Sequence, residues 1–208
     1  FEKLVYGGLT KVFAGIVIAP IGGIIFGLLL TGLIITIFAS RKPTIVNKTF
    51  GRLQIISSAW FALTHGANDG QKTMGIIALI LFSAGMIPEL EIPLWVILAA
   101  ASAMGLGTFF GGYKVIKTLG VKITKLKPYQ GFAAETGGGI MLAIFATLGI
   151  PASTTHAITG TIMGAGSARR KRAVRWNVSR QIVFSWIITI PGSAAMGIGF
   201  TYLIHLFV

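Results

Sequence analysis

HGANDGQKTMG, residues 65–75, sets a carboxamide, a carboxylate and an ammonium in an apolar tract that runs from Phe50 to Ala84. Asp69 is the one carboxylate of that tract. A charged side chain at the centre of a bilayer costs at least about 2.5 kcal/mol on insertion scales, so it persists where protein, a cavity or a cation covers it, and it reads by default as part of a functional site. At about 20 apolar residues per crossing, the tract is too long for one straight span and too short for two with a loop. One net crossing, broken at Gly66 to Gly70, is therefore expected. Glycine permits positive φ there, and Asn68 and Asp69 are residue types that tolerate turns and cap helices.

The rest of the chain agrees with a membrane setting. A mean hydropathy of +0.82, with 54% hydrophobic and only 11% charged residues, excludes an ordinary soluble domain, where roughly a quarter of residues are charged. The 28 glycines suit helices that approach closely in lipid, as at Gly23-xxx-Gly27. With no cysteine in the chain, neither a disulfide framework nor a thiolate metal site is available.

The formal charge of +13 comes from lysines and arginines in short tracts between apolar spans. These are Arg41, Lys42, Lys48 and Arg52, then Lys114 to Lys127, then Arg169 to Arg180. That is the positive-inside pattern, and it places all three tracts on the cytoplasmic face of a cell membrane. No soluble module remains to carry them to nucleic acid, so a nucleic-acid partner is not expected. The segment IPELEIP (87–93) holds Glu89 and Glu91 without lysine or arginine and is expected outside. The chain opens on Phe1 without an initiator methionine or a secretory signal pattern, which leads us to expect a fragment.

These rules give a membrane helix over 12–38, the broken helix over 50–84, a helix over 94–112, a helical pair over 129–168 broken at 149–153, and a helix over 178–207 with Pro191-Gly192 as a kink. The break in the pair rests on Gly149-Ile150-Pro151. Proline lacks a backbone donor and drives the residue before it out of the helical region. Both ends of the pair lie near positive charge, which two full crossings or a re-entrant hairpin would satisfy; the shortness of the second piece favours re-entry. The fold class is thus all-α: a polytopic membrane protein with a discontinuous helix and a re-entrant helical hairpin.

Irregular backbone at membrane depth is tolerated where protein or a water-filled cavity covers it. In secondary transporters such breaks form the sites: half-helix N-termini face anions, and carbonyls and carboxylates hold cations. At the first break, the backbone N–H groups of Gly70, Gln71 and Lys72 are candidates to grip an anion, and the oxygens of Asn68 and Asp69 to hold a hard cation. Lys72 either touches the anion or pairs with Asp69; alternatively Asp69 only caps the following half-helix. At the second, GIPASTTHAITG (149–160) places the hydroxyls of Ser153, Thr154 and Thr155 at a helix start, which suits a tetrahedral oxyanion or an ordinary N-cap. His65 and His156 flank the breaks and are expected to support them by hydrogen bonds to backbone or hydroxyl. Glu135, in GFAAETGGG (131–139), lies either at the cytoplasmic edge or inside as a second sodium ligand or proton carrier. No nucleophile-base pair or lysine-hydroxyl phosphate loop is evident, so an enzyme is not expected.

HGANDGQK (65–72), GFAAE (131–135) and GIPASTTH (149–156) resemble, in order, three marks of the inorganic phosphate transporter (PiT) family. That family has two inverted repeats, each with a GAND-like and an STTH-like motif, and this chain carries one of each, so it is similar to the C-terminal half. The resemblance implies symport of inorganic phosphate with sodium, or with protons in some members, and sulfate in certain relatives. By motif it implies Asn68 and Asp69 as sodium or substrate ligands, Ser153 to Thr155 as phosphate ligands, and Glu135 as an acidic residue important for transport. Sodium is the expected co-transported ion, an N-terminal repeat half the expected partner, and a homo-oligomer the expected assembly. Gly70-Gln71-Lys72 departs from members that carry valine and alanine after the motif. An anion channel would use the same helix ends without a cation ligand.

Overall fold

The computed structural model describes residues 6–205. They form six long helices: α1 (Tyr6–Ile37), α2 (Pro43–Ser83), α3 (Leu94–Lys117), α4 (Pro128–Thr147), α5 (Thr154–Ser167) and α6 (Trp176–His205). A π turn over Thr118–Lys122 follows α3 and a 3-10 turn over Lys171–Ala173 follows α5. The chain to Val174 is one unit, and the segment from Arg175, which contains α6, is a second. Among the described residues, three helical segments are long and apolar enough to cross a membrane: Gly7–Ile37, Leu94–Tyr113 and Trp176–His205.

In the first unit α1 shows why the sequence is apolar on every side. Phe13, Val17, Ile21, Ile25, Leu29, Leu33 and Ile37 recur at four-residue intervals and are all exposed. Such a stripe suits lipid rather than water. The opposite face carries Gly15, Ala19, Gly23, Gly27 and Thr31, and it packs on α5. A methyl added at Gly23 would lie 2.6 Å from the Ala157 carbonyl oxygen, and one at Gly27 would strike the Thr161 carbonyl. In return, a methyl at Gly160 would strike the Pro20 carbonyl, and one at Gly164 that of Ile24. Two small-xxx-small rows therefore interlock, backbone against backbone. Without a hydrophobic force between helices in lipid, this close approach supplies the packing.

α4 lies against both α1 and α2. Ala19, Met141, Leu142, Phe145, Ala152 and Ala157 form one buried cluster. Ile34, Phe50, Tyr129 and Ala133 form another. The glycines of GFAAETGGG let aromatic rings in: Gly138 sits under Phe61 and Gly139 under the indole of Trp60.

The α4–α5 break falls at Leu148 to Ser153. Gly149 takes φ +60°. Its N–H donates to the Ala146 carbonyl at 3.2 Å, and the Ile150 N–H donates to Phe145 at 2.9 Å. This is a Schellman closure, and Ile150 packs back on the cluster that holds Phe145. Pro151 then prevents resumption of the same helix.

The expected break at Gly66 to Gly70 is not there. α2 runs unbroken for 41 residues, and its first positive-φ residue is Gly85, just beyond its end. The reason is local. His65 and Lys72 stand four residues before and three after Asp69, on the same helical face, and both pair with its carboxylate. A charge satisfied within the helix needs no turn to cap. α2 also starts earlier than the apolar tract, with Pro43 in its first turn, so Lys48 and Arg52 are helical and not part of a loop. Pro191, where a kink is expected, lies inside α6.

Candidate functional site

α2 passes the α4–α5 break at the level of Asp69. Asp69 Oδ2 accepts from the Thr154 hydroxyl at 2.8 Å and lies 3.0 Å from His65 Nε2. Its Oδ1 accepts from Lys72 Nζ at 3.1 Å. Lys72 Nζ donates also to the Ala152 backbone carbonyl at 2.8 Å. Asp69 and Thr154, singled out in separate motifs, are thus direct neighbours. Asn68 Nδ2 is buried without a hydrogen-bond partner among the described residues.

The hydroxyls of Ser153 to Thr155 have three different placements. Ser153 is the N-cap of α5, its Oγ accepting the His156 N–H at 3.3 Å. That is the capping role weighed against substrate binding in the sequence. Thr154 is buried and spends its hydrogen on Asp69. Thr155 is exposed. The first intrahelical bond of α5 is Ala157 N–H to Ser153, so the N–H groups of Thr154 and Thr155 belong to the open end of the helix, where a partial positive charge collects. His156 reaches the backbone of Ile16 on α1.

Gly70, Gln71 and Lys72 fare differently. They lie inside α2, where backbone N–H groups bond four residues back. They therefore offer no free N–H groups to an anion, which corrects that expectation. What remains of the motif is its side chains.

Glu135 stands apart from this cluster. Its Oε2 accepts from Ser57 at 2.5 Å and its Oε1 from the Gln54 amide at 3.3 Å. Ser57 precedes Asp69 by twelve residues of α2, about 18 Å of helix rise. One ion cannot touch both carboxylates. Both clusters nevertheless border a cavity of about 790 Å³, to which α2 contributes Gln54 and His65, α4 Glu135, and α5 Thr154 and Thr155. α3 also lines it, with Gly107 and Gly111 among its contributions.

Sequence reasoning missed Gln54, Ser57, the Ala152 carbonyl and the α3 wall. Gly107-xxx-Gly111 was a readable signal for the last. Gln54 and Ser57 gave none, since neither stands out from the polar residues of an interfacial helix end. The carboxylate beside His65 was a readable i,i+4 pair.

Residues 1–197 match the phosphate transporter family. The chain is 48% identical over 195 residues to a protein of Rhizobium meliloti (strain 1021) named "Probable low-affinity inorganic phosphate transporter", covering 93% of this chain and 58% of the relative. It is 38% identical over 198 residues to a protein of the same name from Bacillus subtilis (strain 168), covering 95% and 60%. The chain thus spans somewhat more than half the length of these relatives. A solved structure titled "The sodium-dependent phosphate transporter" superposes with a TM-score of 0.63 at 27% identity, covering 83% of this chain and 52% of that one.

Proposed function

Because the chain belongs to the phosphate transporter family, we propose that it forms one repeat half of a sodium-coupled symporter for inorganic phosphate, working by alternating access. The observation that carries this reading is the 2.8 Å bond from Thr154 to Asp69. It brings an intramembrane carboxylate to an open helix N-terminus, so that a cation ligand and an anion ligand share one place. In this reading sodium sits on the oxygens of Asp69 and Asn68, and phosphate on the N–H groups and hydroxyls at the start of α5. The similar structure titled as a sodium-dependent phosphate transporter supports the choice of ion. An inverted N-terminal half completes the site, and the expected re-entry of the α4–α5 pair brings its tip to the membrane interior.

Charge explains the coupling. Phosphate carries about one to two negative charges near neutral pH, judged from a second pKa of about 6 for phosphoesters. Asp69 repels it unless a cation is bound between them. Sodium therefore raises the affinity for phosphate, and by linkage phosphate raises that for sodium to the same degree. Glu135, about three helical turns away and bordering the same cavity, serves as a separate station for a second cation.

The test is uptake of labelled phosphate by the full-length transporter in proteoliposomes. Asp69→Asn should abolish stimulation by sodium, and an unchanged sodium dependence removes Asp69 from the mechanism. A second reading, proton coupling with phosphate or sulfate as cargo, is favoured by His65, whose imidazole lies 3.0 Å from Asp69 and forms a pair able to pass a proton. Replacing sodium by choline at fixed pH separates the two: uptake that persists selects the proton.

A further inference from the structure

Lys72 Nζ makes two polar contacts that belong to different parts of the fold. One is with Asp69 Oδ1 on its own helix at 3.1 Å; the other is with the Ala152 carbonyl oxygen in the α4–α5 break at 2.8 Å. A helix-stabilising pair at i,i+3 needs only the first. The second places a positive charge between a carboxylate oxygen and a loose backbone carbonyl. Those are the hard oxygen donors that half-helix breaks offer to transported cations. Lys72 thus stands in a cation's position, next to the helix end at which phosphate is placed above.

We infer that Lys72 is a tethered cation, supplying from within the chain one of the positive charges that phosphate binding requires. The inference rests on the reading of Asp69 as a cation ligand. Its consequence is stoichiometric. An ammonium that cannot leave takes the place of one ion that would otherwise be carried, so this half moves phosphate with one cation fewer than a half with a neutral side chain at position 72. The Lys72 side chain is 43% exposed, so its removal opens the Asp69 Oδ1 and Ala152 oxygens to an incoming ion instead of sealing them in a void.

The experiment counts sodium ions bound at equilibrium, using radioactive sodium and the full-length transporter in detergent, with phosphate uptake measured in parallel in proteoliposomes. Lys72→Met and Lys72→Gln should each bind one more sodium ion per transporter than the wild type. Lys72→Arg, which keeps the charge, should match the wild-type count. Adding Asp69→Asn to Lys72→Met should remove the extra ion together with the sodium that Asp69 holds in the wild type. If neither neutral variant reaches the membrane, acetylation of the folded wild type, followed at Lys72 by mass spectrometry, creates the neutral side chain without refolding. An unchanged count after neutralisation overturns the tether. Should the count rise while the wild type shows no sodium-stimulated uptake, the symport reading fails and the tether stands; stimulated uptake with no rise overturns the tether and leaves symport in place.

Discussion

Thr154 on α5 and Asp69 on α2 share a hydrogen bond of 2.8 Å although eighty-five residues separate them in the chain. Each comes from a stretch that looks anomalous for a membrane helix, and each answers the other's need. Asp69 obtains a donor that cannot drift away, and the start of α5 obtains a negative charge that favours the N–H groups at its open end.

Removing that donor should be costly in a specific way. A hydrogen bond to a charged group contributes about 1.5–3 kcal/mol, so Thr154→Val should destabilise the solubilised protein by about that much. Thr154→Ser, which keeps the hydroxyl and drops one methyl, should lose no more than about 1 kcal/mol. Thermal unfolding in detergent reads the difference, and a loss in Thr154→Ser without one in Thr154→Val would point to the methyl group instead.

Asp69 and Glu135 should behave as independent positions. With about 18 Å of α2 between their levels and no shared partner among the described residues, the effects of Asp69→Asn and Glu135→Gln on stability should add within about 0.5 kcal/mol. A double-mutant cycle on thermal unfolding in detergent measures this. A larger coupling term would mean that the two sites act as one.

The interlocked glycine rows predict a steric penalty. Gly23→Val places branched carbons where a single methyl already meets the Ala157 carbonyl oxygen at 2.6 Å. Overpacking of this kind costs about 1–3 kcal/mol, and it should lower the melting temperature of the solubilised protein. Gly32→Val is the matched control, because nothing lies within 4 Å of its added methyl.

Gly149→Ala tests the break itself. The position has open space around it but a φ of +60°, which costs an L-residue about 1–2 kcal/mol. A loss of stability of that order is expected despite the room available, and no loss would show that the Schellman turn relaxes without effect.

How far the sequence reached follows from which forces act locally. The end of α4 was legible because Gly149 and Pro151 act through their own backbone. The continuity of α2 was not, because it depends on where the side chains of His65, Lys72 and Thr154 go, and propensity sees only that Gly66 and Gly70 are poor helix formers. The same blindness assigned backbone N–H groups to an anion at Gly70, Gln71 and Lys72. It also left Gln54 and Ser57 unnoticed, since a polar residue becomes a carboxylate's partner only after two helices have been laid side by side.

The seam of bare backbone between α1 and α5 has a mechanical corollary. Its teeth repeat every four residues, Gly23 and Gly27 on one side and Gly160 and Gly164 on the other, a spacing of about 6 Å along each helix. Partial sliding would drive carbonyl oxygens into the neighbouring main chain, so the seam behaves as a detent: seated, or advanced by a whole notch. Any slide of α5 that lifts Thr154 from Asp69 must then either carry α1 along as freight or jump a full tooth, and small excursions of α5 at the charged pair are filtered out before they can spread.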